Sequence, residues 1–245
     1  MKLIESIKLQ YRAFKYKNNN DRGGIAYINS SVKKGQTAID IGAHKAGYLY
    51  FMLKQVGQKG KVFAFEPQSN LFCYLTKIKK IFNWNNVVVE HLALSDSAGK
   101  VTLYIPTNTI SKDSSPGATI VIRNDFNDFG VTEEINTESL DSYCNRNNIE
   151  PHFLKIDVEG NELKVLFGGL ETLKKYKPKI IVEIEARHVG EDRVLETFEF
   201  MNSLGYIGHF IHGLKRVPLQ SFEFGKHQNE ADKKNYCNNF TFEMQ

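Results

Sequence analysis

Short apolar runs, each closed by an acid, a glycine or a proline and separated by stretches of helical period, constrain this chain to a layered α/β fold. Thr37 to Ile41 runs into Gly42, Lys61 to Glu66 (KVFAFE) is stopped by Pro67, and Val87 to His91 (VVVEH) follows. Phe153 to Asp157 (FLKID) and Ile180 to Glu185 come later. Each has the length of a strand and is apolar on both faces, as strands buried inside a parallel sheet are. Between them Gly47 to Val56, Ser69 to about Phe82, Ser139 to Asn148, the turns through Phe167, Leu170 to Tyr176 and Glu196 to Leu204 read as helices. Tyr206 to Ile211 and Asn239 to Glu243 read as closing strands. Strands joined by helical crossovers imply a mostly parallel sheet covered on both sides, so the reading is one doubly wound domain.

One stretch breaks the rhythm. Lys100 to Pro106 alternates like a half-exposed strand, and Thr107 to Thr132 is rich in Ser, Thr, Asn, Asp and Gly. An insertion of that length in a compact domain usually serves as a functional loop, and Ser111 to Thr119 (SKDSSPGAT) is the natural lid over an acceptor; an undedicated surface loop is the other reading. With 245 residues, no internal repeat and no Pro/Gly/Ser-rich linker, the chain divides into an N-terminal helical extension (1–36) and the main domain (37–245), carrying the insertion at about 107–132.

Composition excludes several classes. A net charge of +4 suits an anionic ligand but is too weak and too scattered for a nucleic-acid partner. Basic groups such as Lys77, Lys79 and Lys80, or Lys174, Lys175 and Lys177, read as solvated helix faces, with a weak tether to anionic membranes or glycolipids as the alternative. Cys73, Cys144 and Cys237 show no metal-ligand spacing, which argues against structural zinc and a disulfide framework and suits a reducing cytoplasm. No apolar run has signal-peptide or transmembrane length, so a soluble cytoplasmic protein is expected.

In open α/β sheets a ligand binds beyond the carboxyl ends of the strands. The first strand ends in Asp40-Ile41-Gly42-Ala43-His44-Lys45-Ala46-Gly47, where small residues allow a tight turn and the next helix offers unpaired N–H groups. The second strand ends in Glu66, 26 positions after Asp40 and suited to the two hydroxyls of a ribose; the alternative is a carboxylate serving the next helix. Gly42, His44 and Gly47 stand where a dinucleotide fingerprint would carry three glycines, and the bulk of His44 and Lys45 argues against a pyrophosphate. These residues point to an adenosine-type ligand without phosphate.

The same stretches resemble the FkbM family of S-adenosylmethionine-dependent methyltransferases. The matching segments are AIDIGAHKAGY (38–48), GKVFAFEP (60–67), LALSDSAGKVTLY (92–104), FLKIDVEGNELKVLFGG (153–169) and PKIIVEIE (178–185). The combination of FEP, ALSD and KIDVEG is specific; DIGA alone is shared by many methyltransferases. The resemblance implies a Rossmann-like class I methyltransferase fold, α/β, with a seven-stranded mostly parallel sheet and an antiparallel last strand. It implies S-adenosyl-L-methionine as cofactor, with Asp40, Gly42, Ala43, His44 and Gly47 at its methionine part, Glu66 and Pro67 at the ribose, and Leu94, Ser95 and Asp96 of the ALSD stretch beside the adenine. It also implies methylation of a hydroxyl oxygen on a sugar, glycan precursor or other secondary metabolite. Two positions depart from the family: His44 stands where Asn is usual, and Ala46 where Gly is usual.

An alkyl hydroxyl must lose its proton during methylation, which calls for a base or a metal. The candidates are Asp157 and Glu159 after the fourth strand, Glu183 and Glu185 sharing one face of the fifth, and His188 beyond it. Asp157, at a strand tip, comes first; capping of the next helix by Asp157 and Glu159 is the alternative. Asp157, Glu183 and His188 could together hold a divalent metal. Tyr48 and Tyr50 read as helix core rather than substrate platforms. The competing functions are an N-directed or protein-directed methyltransferase and a nucleoside- or NAD-binding protein without catalysis.

Overall fold

The computed structural model describes residues 2–106, 117–120 and 130–244. The chain opens with α1 (Lys2–Lys15), a π-helical turn (Tyr16–Asn20) and α2 (Arg22–Ser31), where Asp21 caps the helix by accepting from the Gly24 amide at 2.8 Å. Then come β1 (Thr37–Ile41), α3 (Gly47–Val56), β2 (Lys61–Phe65), α4 (Ser69–Phe82) and β3 (Val87–Glu90). The middle of the chain supplies β4 (Ala93–Ser95), β5 (Gly99–Ile105), β6 (Val131–Ser139) and α5 (Leu140–Arg146). The remainder is β7 (Phe153–Ile156), α6 (Glu162–Phe167), α7 (Leu170–Tyr176), β8 (Lys179–Glu183), α8 (Ala186–Val189), α9 (Glu191–Ser203), β9 (Ile207–His212), β10 (Lys215–Pro218), α10 (Phe224–His227) and β11 (Asn239–Glu243).

The main sheet runs β10-β9-β11-β8-β7-β1-β2-β3. The pairings β8-β7-β1-β2-β3 are parallel, and the last strand, β11, lies antiparallel between β8 and β9. Alternate residues along each central strand enter opposite layers: Ile39, Phe63, Leu154 and Ile180 belong to one core, Ala38, Val62, Phe153 and Ile181 to the other. That is why these strands read as unbroken apolar runs.

Two features correct the expected seven strands in one sheet. β10 adds an eighth strand through a two-residue hairpin, with Lys215 opposite His212 and Gly213 at φ 64°, the positive angle that such turns require. β4, β6 and β5 form a separate three-stranded sheet, in which β5 and β6 pair antiparallel over seven positions. That sheet is tied to the main one where Glu133 of β6 accepts from the amide (3.0 Å) and hydroxyl (2.8 Å) of Ser69, the first residue of α4. Most of the expected lid, Ser111 to Thr119, lies outside the described residues. Of the insertion, 117–120 are described, and Thr119 bridges antiparallel to Tyr104. Among the described residues no helix is long and apolar enough to cross a membrane.

Candidate active site

A cavity of about 250 Å³ opens beyond the carboxyl ends of β1, β2 and β7. Its floor is the turn from β1 into α3. Gly42 has φ 79°, and a Cβ there would lie 1.9 Å from the Asp157 carbonyl oxygen, so only glycine fits. His44 (φ 46°) and Ala46 (φ 65°) are also left-handed. This conformation suits the Asn and Gly usual at those positions in the family that the sequence resembles. It costs an L-residue about 1–2 kcal/mol, and burial of the Ala46 methyl, fully enclosed in the core, offsets about 0.8 kcal/mol of it.

Glu66 follows β2 and is buried. Its Oε2 accepts the His44 amide at 2.7 Å and its Oε1 accepts the Gln68 amide at 2.9 Å. Burial pushes its carboxyl up to about 7, although both amides favour the ionised form. His44 is half-buried, with its Nε2 enclosed; desolvation, with Lys45 nearby, lowers its pKa to about 4, so the imidazole is neutral.

Beneath the turn sits an ionic core. Lys155 of β7 is 4% exposed, donates to the Gly42 carbonyl (2.9 Å) and Asp157 Oδ2 (3.1 Å), and stands 3.7 Å from Asp40 Oδ1. Burial would lower its pKa, but the Asp157 and Asp40 carboxylates prevail and raise it. Asp40 is wholly enclosed, and burial raises it to about 6 against the pull of Lys155.

The remaining carboxylates gather at the tips of β7 and β8. Glu183 accepts from Asn238 Nδ2 at 2.6 Å; burial, then the negative charges of Asp157 and Glu185, raise its pKa well above the ordinary carboxylate range. Glu185 is held differently: burial opposes ionisation, but Arg187 and the Tyr236 hydroxyl bond it directly and lower its pKa. Glu159 (φ 55°) lies with Oε2 3.4 Å from His188 Nδ1, and its carbonyl accepts the Thr119 hydroxyl at 2.7 Å.

Of the residues marked in the sequence, Gly42, Ala43, His44, Gly47, Glu66, Pro67 and Leu94 line the cavity, and so do Asp157, Glu159 and Glu183. Asp40, Ser95, Asp96 and His188 do not: Asp40 lies beneath the floor, Ser95 is buried, Asp96 is exposed, and His188 sits behind Glu159. Asp157, Glu183 and His188 do not converge, and no group of three or more His, Cys, Asp or Glu side chains among the described residues is arranged to hold a metal ion.

Several lining residues escaped the sequence reading, Lys155, Tyr16, Tyr48 and Asn161 among them. Lys155 was legible only as one charged residue in an apolar strand. Tyr16 arrives from the N-terminal helices and packs edge-on against Tyr48, with ring centroids 5.8 Å apart. Tyr48 itself lines the cavity, though its spacing marked it as helix core. Asn161, 2% exposed, donates to the Leu94 carbonyl at 3.1 Å, while its Oδ1 has no hydrogen-bond partner among the described residues.

Comparison with known proteins agrees with this architecture. Methyltransferase FkbM from Methylobacillus flagellatus superposes with a TM-score of 0.55 at 15% identity, covering 97% of this chain and 54% of that one. This chain therefore spans about half the length of that relative. A provisionally designated O-methyltransferase from Klebsiella pneumoniae gives 0.51 at 9% identity, covering 98% of this chain and 88% of that one. At such identities the likeness is one of fold. No curated protein shows significant similarity. The methyltransferase FkbM domain model, however, matches residues 40–207, from the buried acid under the turn to the first residue of β9. With that match over more than half its length, the chain belongs to the FkbM family of S-adenosylmethionine-dependent methyltransferases.

Proposed function

We propose that the chain methylates a hydroxyl oxygen of a sugar, glycan precursor or other secondary metabolite. The observation that carries the oxygen preference is Glu183, a cavity-lining carboxyl whose proton affinity is raised by burial and by Asp157. A carboxylate in the cavity lining can serve as the general base that an alkyl hydroxyl needs.

The cavity suits the cofactor on its own residues. His44 Nε2 and Asn161 Oδ1 are buried polar atoms without partners among the described residues, as in a pocket whose polar surface is completed by a ligand. Glu66 would take the ribose hydroxyls, Leu94 and Asn161 the adenine, and the turn from Gly42 to Gly47 the methionine part, with Asp40 supporting the turn from below. When bound, S-adenosylmethionine supplies an electrophilic sulfonium methyl. Asp157, fixed by Lys155, would orient the acceptor hydroxyl. Glu183, which lines the cavity with Asp157, would take the proton that the hydroxyl gives up on methylation.

The test is transfer of labelled methyl from S-adenosylmethionine to a panel of hydroxyl and amine acceptors, including sugars. Label in methyl ethers supports the reading. Label confined to amines, protein or nucleic acid overturns it. Calorimetric titration with S-adenosylmethionine, S-adenosylhomocysteine and NAD checks the cofactor separately.

A further inference from the structure

Helix α1 has an outer face that the transfer chemistry does not use. Its inner face is fully engaged: Leu9 and Ala13 are buried, and Glu5 accepts from Lys77 at 3.1 Å. Arg12 donates to the Lys45 carbonyl (2.5 Å) and the Tyr74 hydroxyl (2.9 Å). The outer face carries Leu3, Ile4, Ile7, Tyr11 and Phe14, which are 72%, 58%, 59%, 60% and 61% exposed. At 3.6 residues per turn they fall within an arc of about 100°, a continuous stripe along the helix. Exposed apolar residues are normally scattered singly; a contiguous row marks a contact surface.

The charges beside the stripe identify what it meets. Lys8 and Lys15 border it and Lys2 precedes it, all exposed, while the helix's single acid, Glu5, is buried in its pair with Lys77. The outer face therefore presents cations and no carboxylate. A second copy would set cations against cations, whereas an anionic surface complements them. The Lys15 ammonium stands 5.4 Å from the centroid of the Tyr11 ring, so its stem lies along the apolar stripe with its charge at the margin.

We propose that α1 docks on an anionic lipid surface, lying in the interface with the five apolar side chains inserted and Lys8 and Lys15 among the headgroups. The helix leads directly into Tyr16, which lines the cavity, so docking holds the cavity beside the bilayer.

Co-sedimentation of the full chain with vesicles tests this. Binding is expected to phosphatidylcholine mixed with phosphatidylglycerol in equal parts, not to phosphatidylcholine alone, and should weaken as salt rises. The double variant Ile7→Asp/Phe14→Asp should bind at least about tenfold less, while keeping the wild-type circular dichroism and thermal melt, since both side chains are exposed. Absence of binding to the anionic vesicles, or equal binding by the variant, overturns the proposal. So does a solution dimer that the variant dissociates while vesicles bind neither protein, which would assign the stripe to a second copy.

Discussion

Replacing Lys155 by Met tests the ionic core beneath the cavity. Methionine fills much the same volume, so the change removes charge and hydrogen bonds rather than packing. The ammonium donates to the Gly42 carbonyl and to Asp157 and faces Asp40, whose side chain is wholly buried. Removing one partner of a buried ion pair typically costs about 3–5 kcal/mol, because the other charge is left uncompensated. The loss should depend on pH with a definite sign. Asp40 already titrates at about 6, above its ordinary 3.8, and Lys155 holds it down; without Lys155 it rises further. A carboxyl raised in the folded state contributes stability that is present at low pH and lost as pH climbs through its folded pKa. The deficit of K155M should therefore be smaller at pH 5, where Asp40 takes a proton, and full at pH 8. Urea unfolding of wild type, K155M, D40N and the double variant at both pH values measures this, and D40N should restore about 1–2 kcal/mol to K155M at pH 8. A loss below about 1 kcal/mol at pH 8, or no recovery in the double variant, would refute the compensation argument.

Three further outcomes are expected. Glu66 titrates near 7 and would accept from the ribose as a carboxylate, so 5′-methylthioadenosine, which lacks the amino-acid charges, should bind about tenfold more weakly at pH 6 than at pH 8. In Glu66→Gln, calorimetry should show weaker binding and no pH dependence; unchanged affinity would remove Glu66 from the ribose. Glu183→Gln should keep cofactor affinity and lose about 10²- to 10⁴-fold in kcat, and full turnover in the labelled-methyl assay would exclude it as the base. Gly42→Ala combines a left-handed backbone with a Cβ 1.9 Å from the Asp157 carbonyl. A melt should show a loss above about 3 kcal/mol or no folded protein, and a loss under about 1 kcal/mol would refute the turn geometry.

The central sheet was legible because each strand is buried on both faces, and nothing but an apolar run satisfies that. Of the second sheet, β5 was legible as the alternating run Lys100 to Pro106, but β6 was not, for the opposite reason. β6 reads VTEEINTES, and of its residues only Ile135 and Thr137 are buried. A strand with one buried aliphatic residue and polar neighbours carries almost no period-2 signal. β10 failed similarly: KRVP has no buried residue, and the only cue was Gly213 between two short runs. Helix ends were closer, as at α5, where Ser139 caps the first turn by accepting from Ser142 at 3.1 Å.

In the site, the residues that a sequence exposes are those whose type is unusual for their place. Gly42 and Glu66 announce themselves at strand ends. Tyr16 and Asn161 do not, because nothing local requires them; only the packing of α1 against α3 and α4, and of α6 against β4, carries them to the cavity. Glu66 also shows why two readings of one acid need not compete. From its place in the sequence it suits both a ribose ligand and a carboxylate serving the next helix. Its oxygens accept from Gln68 at the start of that helix and from His44 in the turn, one amide each. A carboxylate offers about four acceptor sites, so two remain, the number a ribose diol needs. The acid proposed to hold the ligand thus also fixes the turn that receives it. A substitution at Glu66 should disturb both, and only the pH dependence of nucleoside affinity, carried by its titration near 7, separates the two roles.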